Sequence, residues 1–87
     1  MNPLDLSSKA RFQILESMID SLEELGFPMA GPRSALRAGE DGVCFVTIFH
    51  AAKKNKEYAQ KWVIELKALN EFFAKDKYMQ YCGYPLR

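Results

Sequence analysis

An almost unbroken apolar run, VCFVTIFH at positions 43–50, constrains the fold of this chain more than any other stretch. The run is rich in β-branched and aromatic residues, which favour a strand. In a strand, odd-numbered residues such as Val43 and Phe45 would share one face, and even-numbered residues would share the other. Because both faces are mainly apolar, both need to be covered by other parts of the fold. The run therefore predicts a buried strand.

The segment before this run, FPMAGPRSALRAGEDG at positions 27–42, is rich in turn-forming residues, with two prolines and three glycines. Within it, RSALRA could form a short edge strand, which would place Arg33, Ala35 and Arg37 on one face. It could equally form one turn of helix. The GEDG that follows is typical of a tight hairpin connection, because glycine adopts the backbone dihedrals that such a turn needs. Together the two stretches predict a β-hairpin.

A helical pattern precedes the predicted hairpin. Apolar residues recur every three or four positions, and charged residues fill the other side. Either Asn2 or one of the two serines at positions 7 and 8 caps the start, and Gly26 followed by Pro28 ends the helix. The expected core stripe is Ile14, Leu15, Met18, Ile19, Leu22 and Leu25.

A second and longer helical pattern follows the hairpin, from Lys56 to Tyr81, with Asn55 as its expected N-cap. Its expected core stripe is Tyr58, Ala59, Trp62, Val63, Leu66, Leu69 and Phe73. Ile64 and Phe72 lie outside this stripe, so the pattern predicts that they face away from the core.

The chain has 87 residues, which is the length of one domain, here residues 1–87. The patterns predict the α+β class, a single small domain of α-β-β-α order with two helices packed on a short antiparallel hairpin. The main alternative is an all-α chain in which RSALRA is a short helix. Since an isolated hairpin is only marginally stable in water, pairing of edge strands between two copies predicts a homodimer.

The charges are nearly balanced, with 12 Lys and Arg against 11 Asp and Glu and a net charge of +1. Acids lie at the end of the first helix and lysines at the start of the last, so each group is expected to oppose the dipole of its own helix. An up-and-down path would bring the two groups together, and each would then offset the other. The acids are Asp20, Glu23 and Glu24, and the lysines are Lys53, Lys54 and Lys56. Alternatively, two copies of the first helix could pair antiparallel, since Lys9 and Arg11 lie at its start.

No combination of residues indicates catalysis, a metal or a cofactor. Cys44 and His50 suggest a nucleophile and base, but six residues of strand would separate them by about 20 Å. Adding Cys82 gives three dispersed candidates, which is too few for a recognisable zinc site. The sequence contains no nucleotide-binding or metalloprotease motif. We therefore expect no catalytic residue, no metal and no cofactor, and a protein that is not an enzyme.

Cysteine usage and hydropathy indicate where the chain works. Both cysteines are expected to be buried free thiols, as in a reducing compartment. The start, MNPLDLSSKARF, lacks the features of a signal peptide, and no apolar run approaches the ~20 residues that span a bilayer. The sequence therefore predicts a cytoplasmic protein that does not enter a membrane.

Surplus apolar side chains favour binding of another protein. The chain is 48% hydrophobic and 13% aromatic, which is more than a domain this small hides easily. The expected interface residues are Ile64, Phe72, Tyr78, Met79, Tyr81 and Tyr84. Alternatively, the tyrosine-rich tail folds back over a small core. The favoured function is a non-catalytic regulator, adaptor or inhibitor, and the size and lack of motifs also suit a phage or mobile-element inhibitor of a host machine.

The alternative function is a regulator that binds nucleic acid. Its basic residues would be Arg33, Arg37, Lys53, Lys54, Lys56 and Lys61. His50 and Tyr58 lie nearby in sequence, and basic groups beside aromatic rings suit phosphate contact and base stacking. The near-neutral net charge instead favours a solvated helix start.

Overall fold

A computed structural model describes residues 5–74, which form five α-helices and no strand within that range. The helices are α1 (Ser8–Glu24), α2 (Ala30–Arg37), α3 (Asp41–Lys53), α4 (Lys56–Lys61) and α5 (Val63–Phe73). The predicted α+β class with a β-hairpin is therefore wrong, and the all-α alternative is what the structure shows.

The apolar run at positions 43–50 lies within α3 rather than in a strand. The buried residues of α3 follow the i, i+1, i+4, i+7, i+8 spacing of one helix face, and they are Cys44, Phe45, Ile48, Ala51 and Ala52. A helix that is apolar on nearly all sides lies at the centre of a bundle, and α3 packs against each of the other four helices. The helix propensity lost by a β-branched or aromatic residue is at most about 0.7 kcal/mol, whereas burying a Phe or Ile side chain gains about 1.5–3 kcal/mol. Packing therefore decides the conformation.

The predicted boundaries of α1 are close to the observed ones. The Ser7 hydroxyl accepts a hydrogen bond from the amide of Ala10. Of the predicted N-caps, Ser7 is therefore the one that the structure shows. At the other end Gly26 has φ +94°, and the amides of Gly26 and Phe27 donate to the carbonyls of Glu23 and Leu22 in a Schellman motif. Leu25, predicted to be in the core, is 47% exposed because the helix ends before it.

The residues predicted to form the edge strand and the hairpin turn form α2 and a turn between helices. The first five residues of RSALRA lie inside α2, and Ala38 is the C-cap of that helix. Pro32 is tolerated because it falls in the first turn, where its missing amide has no helical partner. Gly39 has φ +80° and ends α2 in a second Schellman motif, with Gly39 and Glu40 donating to carbonyls at Leu36 and Ala35. The chain then enters α3 directly at Asp41.

The long last helix is also interrupted, because α4 and α5 are separated at Trp62. Asn55 caps α4 as predicted, and its side-chain oxygen accepts from the amide of Tyr58 at 3.2 Å. Val63, predicted to be in the core, is 56% exposed, whereas Leu66, Leu69 and Phe73 of the same predicted stripe are buried. The predicted end at Tyr81 lies outside the described residues.

The core collects buried apolar side chains from α1, α2, α3 and α5, from Trp62 between α4 and α5, and from Met29 between α1 and α2. Its buried members are Leu15, Met18, Ile19, Leu22, Met29, Leu36, Cys44, Phe45, Ile48, Ala51, Ala52, Trp62, Leu66, Leu69 and Phe73. The indole of Trp62 stacks on the ring of Tyr58 at 4.5 Å, which closes the α4–α5 junction over the core.

The ion pairs differ from the predicted charge match. Asp20 and Glu23 accept hydrogen bonds from the guanidinium of Arg33 at 2.8 and 2.7 Å, so α1 is tied to α2 and not to the lysines. At the start of α1, Arg11 donates to Asp41 at 2.7 Å. Within residues 5–74 the predicted contact between acids and lysines is therefore absent. Three of the charges expected to pair two copies of α1, those of Arg11, Asp20 and Glu23, are already paired inside one chain.

Candidate functional site

The outward side of α5 carries apolar side chains that the core does not use. Leu66, Leu69 and Phe73 anchor the inner side of the helix. On the other side, Ile64 is 67% exposed and Phe72 is 40% exposed. Ile64, Ala68 and Phe72 follow an i, i+4, i+8 row, whereas exposed Val63 lies about 100° around the helix from Ile64. We call the three residues of the row, Ile64, Ala68 and Phe72, the α5 outer face.

Contacts with other helices hold the aromatic end of this face in place. The guanidinium of Arg11 lies over the ring of Phe72, 4.5 Å from its centroid. Arg11 is itself fixed, because it also donates to the carboxylate of Asp41 and to the carbonyl of Leu6. The ring of Phe72 meets that of buried Phe73 edge-on at 5.1 Å. Phe72 is thus an exposed aromatic side chain with a fixed position, which lowers the entropy lost when it binds.

The remaining predicted interface residues are Tyr78, Met79, Tyr81 and Tyr84, and they lie outside the described residues, as does Cys82. The structure therefore places two of the six, Ile64 and Phe72. Both are on one row of α5. Sequence reasoning placed Val63 in the core stripe, and the structure exposes it on a different side of α5 from Phe72.

The six predicted basic residues do not act alike. Hydrogen bonds to Asp20 and then to Glu23 raise the pKa of Arg33, and two carboxylates offset its charge. Arg37 is exposed on the same side of α2 as Arg33, four residues later. Because the charge of Arg33 is already matched, the predicted phosphate site loses one of its two arginines.

The lysines lie at helix ends. Lys53 is the last residue of α3, and Lys54 is its C-cap. A cation near the C-terminus of a helix interacts favourably with the helix dipole, by about 0.3–1 kcal/mol. The expectation that these two lysines oppose the dipole of their own helix is therefore wrong. The ammonium of Lys53 lies 5.1 Å from the centroid of Phe49, and that of Lys61 lies 5.6 Å from the centroid of Tyr58. Lys56 begins α4.

A pocket opens beside the C-terminal half of α3. We call it the α3 pocket, and it has a volume of about 330 Å³ and is lined by Phe27, Pro28, Met29, Thr47, His50, Ala51 and Lys54. The first three residues connect α1 to α2, and the other four form one i, i+3, i+4, i+7 ridge of α3. Sequence reasoning placed residues 43–50 in a strand, so it had no means of bringing these two segments together.

Cys44 and His50 do not form a catalytic pair. Cys44 is fully buried, whereas His50 is exposed on another side of α3. Burial raises the pKa of the Cys44 thiol to about 12, and the negative charge of Asp41 adds to this effect while Arg33 opposes it. A thiol with so high a pKa is a weak nucleophile at neutral pH.

Within residues 5–74, no three side chains of the His, Cys, Asp and Glu types cluster as metal ligands would. None of the helices in that range combines the length and apolar character needed to cross a membrane. Neither protein-family models, nor curated proteins, nor solved structures gave a match to this chain.

Proposed function

We propose that this chain is a non-catalytic binding protein, a small regulator, adaptor or inhibitor, that docks another protein on the α5 outer face. The observation that carries the proposal is the exposure of Ile64 and Phe72 along one row of an otherwise well-packed helix. Single exposed apolar residues are normal on a protein surface. A row of them on one helix is the pattern by which helices enter an apolar groove of a partner.

The energetics of the row support a docking role. Complete burial of an Ile or Phe side chain is worth about 1.5–3 kcal/mol, so the α5 outer face holds several kcal/mol that the chain alone does not use. Ala68, between Ile64 and Phe72, leaves room for a side chain of the partner to approach the helix. Exposed Lys67 and Glu71 border the row and supply the polar rim usual for an interface. The fitting partner is a protein with a concave apolar surface.

A second copy of this chain fits the surface less well than a different protein does. A stable dimer buries about 800 Å² on each partner, and one convex helix face laid against another falls short of that area. The two earlier reasons for a homodimer are also weaker, because residues 5–74 form no edge strand and Arg11, Asp20 and Glu23 of α1 form ion pairs inside one chain. We therefore expect a monomer at low micromolar concentration.

The test replaces one exposed apolar residue on the α5 outer face and one elsewhere. Ile64→Lys removes the most exposed member of the row, and Leu25→Lys makes the same change at the end of α1. Because both positions are exposed, the free energy of unfolding of each variant should differ from that of the original protein by less than about 0.5 kcal/mol. Each tagged protein would be expressed in the source cells and isolated by affinity capture, and quantitative mass spectrometry would measure the proteins captured with it.

We expect one stoichiometric partner with the original chain and with Leu25→Lys, and its loss with Ile64→Lys. Circular dichroism and urea unfolding check that both variants are folded. Retention of the same partner by Ile64→Lys would remove the α5 outer face from the proposal. Sedimentation at increasing concentration adds a second check, since a dimer abolished by Ile64→Lys would make the occupant a second copy.

A further inference from the structure

The α3 pocket combines an apolar floor with a cationic edge. Phe27, Pro28 and Met29 supply apolar walls from one side, and Ala51 supplies one from α3. His50 and Lys54 lie on the same ridge of α3, one helical turn apart, at the edge of this space. Its volume of about 330 Å³ is at the lower end of the range for ligand pockets and suits one inserted side chain.

Neither basic side chain of the pocket has a carboxylate partner. The lining contains no Asp or Glu, and neither His50 nor Lys54 forms an ion pair within residues 5–74. Three carboxylates of α1 and α3 pair with arginines and not with these residues. Asp20 and Glu23 pair with Arg33, and Asp41 pairs with Arg11. Lys53 and Lys56 lie within two residues of Lys54 and add positive charge to this end of α3.

We propose that the α3 pocket binds an acidic peptide segment of a partner protein, with one apolar side chain in the pocket and carboxylates beside His50 and Lys54. Charge complementarity selects the acidic flanks, and the apolar floor selects the central side chain. Nucleic acid fits less well, because no arginine lines the pocket to grip a phosphate with two hydrogen bonds. The pocket shares no residue with the α5 outer face, so this proposal stands or fails separately from the proposed function.

The test is an NMR titration of the full isotope-labelled chain with defined peptide pools. The first pool carries Leu, Ile, Met, Phe or Trp at its centre, flanked on each side by three acidic residues. A second pool has Ser at the centre, and a third has Gln in place of the acids. We expect the first pool alone to give saturable shifts at Thr47, His50 and Ala51. Lys54→Glu should weaken this binding about tenfold, whereas Lys67→Glu, the same charge change on α5, should leave it unchanged.

Other outcomes overturn the proposal. No saturable shift at the pocket residues with the first pool means that the pocket takes no such segment. Equal binding of the Ser-centred pool means that charge alone acts and the pocket stays empty. A thymidine hexanucleotide that shifts the same residues more strongly than the first pool assigns this end of α3 to nucleic acid instead.

Discussion

Two arginines supply the ion pairs between separate helices in the described part of the chain. Arg11 ties the start of α1 to Asp41 at the start of α3, and Arg33 ties α2 to the acids on α1. The pairing partners are 30, 13 and 10 residues apart in sequence. No local pattern contains such pairs, because they depend on which helices pack together. For this reason sequence reasoning assigned the acids of α1, Asp20 and Glu23, to lysines instead.

Replacing Arg11 tests its role as a joint between helices. Arg11→Met keeps most of the side-chain volume but removes the hydrogen bonds to Asp41 and Leu6 and the contact with Phe72. We expect the free energy of unfolding to fall by about 1–3 kcal/mol, because a part-buried carboxylate loses its partner. Urea unfolding measures the change. Arg37→Met, at an exposed position, is the matched control and should change it by less than about 0.5 kcal/mol. Equal effects of the two substitutions would contradict the assignment.

The buried thiol of Cys44 gives the stability a dependence on alkaline pH. Its pKa rises from 9.0 to about 12 on folding, mainly through burial, so the thiol favours the folded state below pH 9. That contribution is lost as the pH rises from 9 towards 12, because the unfolded chain can then release the proton. Between pH 8 and pH 10, the free energy of unfolding of the original chain should fall by about 1 kcal/mol more than that of the Cys44→Ala variant. Parallel pH profiles of the two proteins in urea unfolding would count against this prediction.

For the individual elements, the sequence predicts where a helix begins or ends better than it predicts whether a segment is a helix or a strand. Ser7, Asn55 and Gly26 act where their chemistry predicts, since caps depend on a few neighbouring atoms. Whether residues 43–50 form a helix or a strand depends on whether helices or a sheet pack against them. Because the run is apolar at nearly every position, it fits both periods, and only the surrounding helices decide between them.

Two glycines of similar exposure test how α2 ends. Gly39 has φ +80°, which other residues adopt at a cost, whereas Gly31 lies inside α2 with open space around it. Gly39→Ala should therefore lower the free energy of unfolding by about 1 kcal/mol. Gly31→Ala should raise it by about 0.5 kcal/mol, through helix propensity. Thermal or urea unfolding of both variants distinguishes this turn from a flexible loop, in which both substitutions would have little effect.

At the scale of the whole molecule, five helices enclose one core and leave two different surfaces unused. The α5 outer face is apolar, and the α3 pocket is apolar with a cationic edge. The sequence indicated the first surface, since Ile64 and Phe72 fall outside the core stripe. It could not indicate the second, because the pocket forms only when residues 27–29 pack against α3. A binding protein that carries two such surfaces can hold two protein segments at once, as an adaptor does.

The most direct test of the docking surface is photo-cross-linking in the cell that encodes the protein. Benzoylphenylalanine would replace Ile64 in one variant and Leu25 in the other, since both positions are exposed and apolar. We predict that irradiation links position 64 to one protein of discrete mass and links position 25 to none. No adduct from position 64, or the same set of adducts from both positions, would contradict the account.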